Sequence, residues 1–196
     1  MKKITLIVIA ITSLFITQQA KSQTFDKGTL NIDLGMGVPY YAYVAVPPVY
    51  GNVELGIHEY IGLGATAGFY SLSSYWYATT HDYYERDFVM AGFASFHYTK
   101  ILKELDLDMG DILDKMDLYV KLGMGPRFHS WNEWDYVYND NTNNYEWIET
   151  PRSRMYIAGN LNFGFRYFFT DNIAVNLELG GGFYSYTQFG ITFKLK

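Results

Sequence analysis

The chain has 196 residues, a formal net charge of −5 at pH 7 and no cysteine, so a basic nucleic-acid-binding surface and a disulfide-stapled scaffold are both excluded. Aromatic residues make up 19 % of it, 19 of them tyrosines, and glycine contributes another 18 residues. That mixture serves a soluble sandwich as well as a membrane barrel, and only the order of residues separates the two.

Lys2 and Lys3 precede an apolar run from Ile4 to Ile16, and Ala20-Lys21-Ser22 follows it. A charged start, a short apolar stretch and a small-x-small tripeptide are the parts of a secretion signal. The run is shorter than the roughly 20 apolar residues that span a bilayer as a helix. Cleavage is expected after Ser22, leaving one domain over 23–196. No cysteine follows the run, which excludes a lipid-anchored lipoprotein. Three lysines and no acid leave with the signal, making the remaining chain three charges more negative.

From residue 29 to 38 the chain alternates strictly, with Leu30, Ile32, Leu34, Met36 and Val38 against Asn31, Asp33, Gly35 and Gly37, the period of a two-faced strand. A second strand is predicted over 52–58, with Val53, Leu55 and Ile57 opposing Glu54, Gly56 and His58. A third follows over 61–70. The fourth, 88–99, is apolar on both faces; Met90, Ala94, Phe96 and Tyr98 are set outward, Ser95 and His97 inward. The fifth, 117–129, sets Leu118, Val120, Leu122 and Met124 against Tyr119, Lys121, Gly123, Gly125 and Arg127. The sixth covers 155–169, the seventh begins at Ile173 and the eighth closes the chain with Phe189, Ile191, Phe193 and Leu195 on one face.

Eight such strands could make a lipocalin-like soluble barrel with its apolar face inward. The second faces argue otherwise, because they carry Gly at 35, 37, 56, 62, 64, 68, 123, 125, 164, 180 and 190, which suits a crowded interior and not a solvated surface. In lipid the polarity inverts. The expected fold is therefore an all-β transmembrane antiparallel up-and-down barrel of about eight strands.

The connections alternate in length. Those near 39–51, 71–87, 130–154 and 181–186 are expected outside the cell, and those near 58–60, 100–116 and 170–172 on the periplasmic side. In 100–116, Leu102, Leu105, Ile112, Leu113 and Met116 are spaced as on a short amphipathic helix. The run Asn139 to Asn144, flanked by alternating aromatics, reads as the turn of a hairpin rising above the membrane.

Several stretches resemble the small outer-membrane β-barrel family common in Bacteroidetes-type bacteria, of the OmpX and OmpA-domain kind. They are Lys27-Gly28-Thr29-Leu30, Glu54-Leu55-Gly56-Ile57 with Ile61-Gly62-Leu63-Gly64, Phe96-His97-Tyr98, Leu118 to Gly125, Gly164 to Phe169, Glu178-Leu179-Gly180 and Phe189 to Phe193. The resemblance spans nearly the whole chain after the signal. It implies residence in the outer membrane among its lipid and lipopolysaccharide, and passage through the barrel-insertion machinery. Such barrels usually end on an aromatic residue; this chain ends Leu195-Lys196, so Phe193 is expected to stand in.

Inward faces gather Asp33, Glu54, Asp117 and Glu178 with Lys121, Arg127, Arg166 and Lys194. Buried charges persist when paired, so an ion-pair network closing a narrow lumen is expected, with Glu178 paired to Arg166 or Lys121. A small pore is the competing reading. Catalysis on lipid would need a His, a Ser and an acid in contact; His81, Asp82, His129 and Ser130 are the rim candidates, and their spacing matches no triad motif. The histidines at 58, 81, 97 and 129 lack metal-ligand spacing, so no metal and no cofactor is expected. Tyr75, Trp76, Tyr77, Tyr83 and Tyr84, and above all Trp131, Trp134, Tyr136, Tyr138, Tyr145 and Trp147, supply an outer aromatic girdle and, beyond it, a contact surface for a protein or glycan ligand. The function these features imply is a non-enzymatic barrel with an envelope-structural and surface-binding role.

Overall fold

A computed structural model describes residues 25–38, 46–75, 82–105, 110–181, 183 and 185–195. The signal segment, Trp76, Tyr77 and His81 lie outside them. Eight antiparallel strands follow one another around a closed ring: β1 (Leu30–Val38), β2 (Val46–Gly56), β3 (Ile61–Tyr75), β4 (Asp82–His97), β5 (Met116–Asn139), β6 (Asn144–Phe168), β7 (Ile173–Gly181) and β8 (Thr187–Leu195). β8 pairs back onto β1, with Ile32 opposite Phe193 and Gly35 opposite Gly190, so neither edge is left open.

The faces are inverted relative to a soluble protein. Leu122 and Met124 are 64 % and 68 % exposed on the outside, while Glu54 and Arg166, inside, are 0 % and 1 %. Such a surface is costly in water and stable in hydrocarbon, which makes this a membrane-spanning barrel. On β5 the apolar exterior runs from Leu118 to Phe128. At about 3.3 Å per residue and a tilt of about 40° that is a band of about 25 Å, the height a bilayer core requires. Among the described residues no helix is long and apolar enough to cross a membrane.

Glycines let the interior close. A Cβ on Gly164 would strike the ring of Tyr119, and one on Gly56 would strike the backbone of Asp26. In both places a bulky partner fills the space that glycine leaves.

The strands are longer than alternation alone indicates. β2 begins at Val46 rather than 52, crosses a register shift between Val46 and Val49, and ends before His58, which lies in the turn. β3 runs on to Tyr75, and β4 starts at Asp82 and stops at His97, because Thr99 already begins a short helix. β5 and β6 pair without interruption up to Asn139 opposite Asn144, so most of 130–154 is strand. The physical reason is that cross-strand pairing outlasts the lipid. Once apolar alternation ends, tyrosine, tryptophan and serine pairs carry the ladder onward. The segment after β4 is not one amphipathic helix: α1 (Thr99–Glu104) and a separate 3-10 turn (Gly110–Lys115) share it, and Leu113 is buried while Leu105 and Ile112 are exposed.

Candidate functional site

The strand register brings inward-facing residues from distant parts of the chain to one level of the lumen. Arg166 on β6 is the hub: its guanidinium lies 3.0 Å from Asp33 of β1, 2.8 Å from Glu54 of β2 and 3.0 Å from Asp117 of β5. The same guanidinium lies over the Tyr119 ring, 4.3 Å from its centroid. One level further up the lumen, Lys121 Nζ is 2.6 Å from the Glu178 carboxylate. Tyr119 and Asn162 donate to the same carboxylate at 2.8 and 2.7 Å. Thr192 and Asn52 donate to Asp33. Each carboxylate thus has both charge and hydrogen-bond partners, the condition for keeping ions out of water.

Six of the eight charges expected in the lumen therefore meet there, and two do not. Arg127 stands six residues above Lys121 on β5, about 20 Å along the strand, and pairs instead with Asp87 at 2.6 and 2.8 Å. Lys194 sits at the opposite end, its Nζ 4.7 Å from the centroid of the Phe168 ring. Arg166 and Glu178 do not pair, since Arg166 faces Asn176 across β6 and β7 and its two terminal nitrogens are taken by the three carboxylates of the lower level, while Nε donates to no side chain.

His97, expected inward but not counted among the lumen charges, is a further member of the network. Its Nδ1 is 2.8 Å from Asp117, and its Nε2 is 3.0 Å from Glu54 and 3.1 Å from Ser95 Oγ. With a carboxylate at each nitrogen the geometry suits a ring that donates from both. Ser95, His97 and Asp117 have the connectivity of an acyl-transfer triad, yet Glu54 inserts itself by accepting a short hydrogen bond from Ser95. Phe25 covers the imidazole face. The four polar side chains are buried, so the arrangement locks strands together and presents no hydroxyl to a substrate.

The lumen is capped at this end by the N-terminal segment. Gly28 donates its backbone N–H to Gly56, Asp26 pairs with Lys100 of α1 at 3.1 Å, and Lys100 also reaches Glu59 at 3.4 Å. Partial burial works against the Lys100 charge, but those two carboxylates prevail and hold its pKa above the ordinary lysine value.

At the other mouth, Tyr50, Tyr70, Leu72, Val89, Ala91, Ala158 and Phe183 form an apolar layer. Near it Asp87 accepts from Arg127 and lies 3.2 Å from His129 Nδ1, while Tyr70 donates to Glu85. Ligand atoms of Glu85, Asp87 and His129 fall within 4.8 Å of one another. Arg127 already occupies both oxygens of Asp87, which favours an ion-pair cluster over a cation site. His129 faces this mouth, whereas Ser130, its neighbour on β5, lies on the outward face with its hydroxyl directed at the Arg86 carbonyl. Consecutive strand residues point to opposite faces, so the rim His129 and Ser130 form no catalytic pair.

Beyond this mouth the β5–β6 hairpin continues alone. Tyr136 faces Trp147 and Tyr138 faces Tyr145, and the rings interlock: Tyr136 lies 5.1 Å from Tyr145 and 4.9 Å from Trp147, and Tyr138 meets Tyr145 edge-on at 5.1 Å. All four are exposed. Trp134 stands lower on the same face, and Trp131, on the other, approaches the His129 ring at 4.8 Å. The tip is a turn with Asn143 at φ 50°, a conformation asparagine tolerates, and Thr142 and Asn139 hold Glu146 below the usual carboxylate range.

No family model matches the sequence, and no curated protein does. Among solved structures, the N-terminal β-barrel domain of Pseudomonas aeruginosa OprF is similar at 13 % identity over 86 % of this chain and 98 % of that one, with a TM-score of 0.48. Ail, the attachment invasion locus protein of Yersinia pestis, in complex with the heparin analogue sucrose octasulfate, is similar at 10 % identity over 86 % of this chain and 95 % of that one, with a TM-score of 0.43.

Proposed function

We propose that this chain is a non-enzymatic barrel of the outer membrane that reinforces the envelope, and that its β5–β6 hairpin projects outside the cell as a contact surface. The observation that carries the reading is the interlocked, exposed aromatic face of that hairpin, far beyond the lipid-facing band. Rigid aromatics held on a two-stranded ladder offer large contact area at little entropic cost. Two tight turns at the opposite end, 57–60 and 169–172, support this orientation, and the expected secretion signal accords with export. Lipid and lipopolysaccharide are then its surroundings. The insertion machinery is a transient partner that reads Phe193, which faces outward on β8.

The absence of cysteine makes orientation directly testable. Asn141→Cys at the hairpin tip should react with a membrane-impermeant maleimide on intact cells, and Asp171→Cys only after the outer membrane is permeabilised. The reverse pattern would overturn the proposal.

A further inference from the structure

The lipid-facing exterior of β3 to β6 is layered in register. Phe69, Phe88, Phe128 and Met155 form one row across the four strands, each opposite the next. Immediately above, Arg86 stands opposite Ser130, and Ser130 opposite Ser153. Together these side chains border an open groove of about 350 Å³. The Arg86 side chain is exposed and makes no ion pair among the described residues. Below the aromatic row lies a second groove, of about 670 Å³. Gly92 and Gly159 flank Met124 there on the two neighbouring strands. A Cβ on Gly92 would meet nothing nearer than a carbonyl oxygen 3.9 Å away. Above the Arg86 row, on the same outward face, come Trp134 and the ladder of Tyr136, Trp147, Tyr138 and Tyr145.

We propose that this strip binds one phosphorylated glycolipid of the outer leaflet side-on. An acyl chain lies in the groove over Gly92 and Gly159, a phosphate is held by Arg86 with the Ser130 and Ser153 hydroxyls, and the sugars stack on the aromatic ladder. The vertical order of the three parts follows the order of chemistry in such a lipid. From Met124 to Ser130, and again from Ser130 to Tyr136, is six residues, about 20 Å along the strand in each step. The first step carries the chain from the hydrocarbon interior to the headgroup, and the second reaches sugars several units away. Charge complementarity selects the occupant: a guanidinium just above an aromatic row matches a phosphate by two parallel hydrogen bonds, which an unphosphorylated glycolipid lacks, while phosphatidylethanolamine offers a phosphate with a compensating ammonium and no sugar for the ladder above.

The inference rests on the outward orientation of the hairpin, and its test separates the two. The full-length protein in detergent is titrated with a purified hexa-acylated lipid A bearing its core oligosaccharide, and with the same lipid dephosphorylated, phosphatidylethanolamine and inorganic phosphate. Retained complexes are read by native mass spectrometry. The phosphorylated glycolipid alone should be retained at a ratio of one. Arg86→Gln should weaken that binding by about tenfold, toward the level of the dephosphorylated lipid. Gly92→Leu, which has room for its side chain, should weaken binding with no loss of thermal stability. Equal retention of all lipids, or binding unchanged in both variants, would overturn the inference while leaving the orientation intact. Failure of the tip cysteine to label on intact cells would overturn the orientation whatever the titration shows.

Discussion

Phe25 lies flat against the imidazole of His97, with ring centroids 3.5 Å apart and planes 1° from parallel. Phe25 thereby seals the ion-pair network at this end of the barrel. Phe25→Ala should destabilise the barrel by about 3 kcal/mol, measured by urea unfolding in lipid vesicles. Conductance in planar bilayers should stay low in both proteins, because the Arg166 cluster still closes the lumen behind the missing ring. Steady, large openings in the parent would contradict the closed lumen.

Lys121 and Glu178 form a buried pair distinct from the Arg166 hub. Replacing either alone, with Met or Gln, strands the other charge and should cost about 3 to 5 kcal/mol, while the double variant should cost much less. A cycle on Arg166 and Glu178 should instead show a much smaller coupling, since no direct contact joins them and Tyr119, which stacks under one and donates to the other, links them only indirectly. Strong coupling in that second cycle would mean that the two levels of the lumen are not separate.

The outer face should refuse charge. Leu177→Arg or Leu122→Arg, near mid-depth and exposed to lipid, should cost about 2 to 4 kcal/mol, judged from unfolding midpoints in vesicles. The same change at Ser130, in the polar row above the aromatic band, should cost far less.

Gly164 makes room for the Tyr119 ring, on which Arg166 stacks in turn. Gly164→Val should block folding into vesicles, and adding Tyr119→Ala should restore part of it. If Gly164→Val folds as well as the parent, the packing of that ring is not what limits closure.

Much of this architecture is legible in the sequence because the side-chain period of a strand is two and one face meets lipid. Leu30 to Val38 and Ile173 to Leu179 declare their faces without help. The ends of β3 and β4 were harder to read, because Ser71 to Tyr75 and Asp82 to Asp87 do not alternate apolar with polar, yet backbone pairing continues there; the β5–β6 hairpin, by contrast, was announced by the aromatics that flank Asn139 to Asn144. The lumen charges were legible as a set, but their pairing depends on register and height. Arg127 shares a face with Lys121 and still lies too far up β5 to join its network. His97 was legible as an inward residue but not as a member of the network, because its two carboxylate partners sit 20 and 43 residues away, a proximity visible only after the ring closes. Had the outward row been followed across strands rather than along them, Arg86 would have stood out as a lone cation above phenylalanines.

The inverted polarity of the barrel is tested most directly by a nitroxide scan along β7. Single cysteines placed in turn from Ile173 to Gly181 carry the spin label, and its collisions with lipid-soluble oxygen are measured in vesicles. Collision rates should alternate with a period of two, high at 173, 175, 177 and 179 and low at 174, 176, 178 and 180. Alternation in the opposite phase, or none at all, would show that the apolar face does not meet the bilayer.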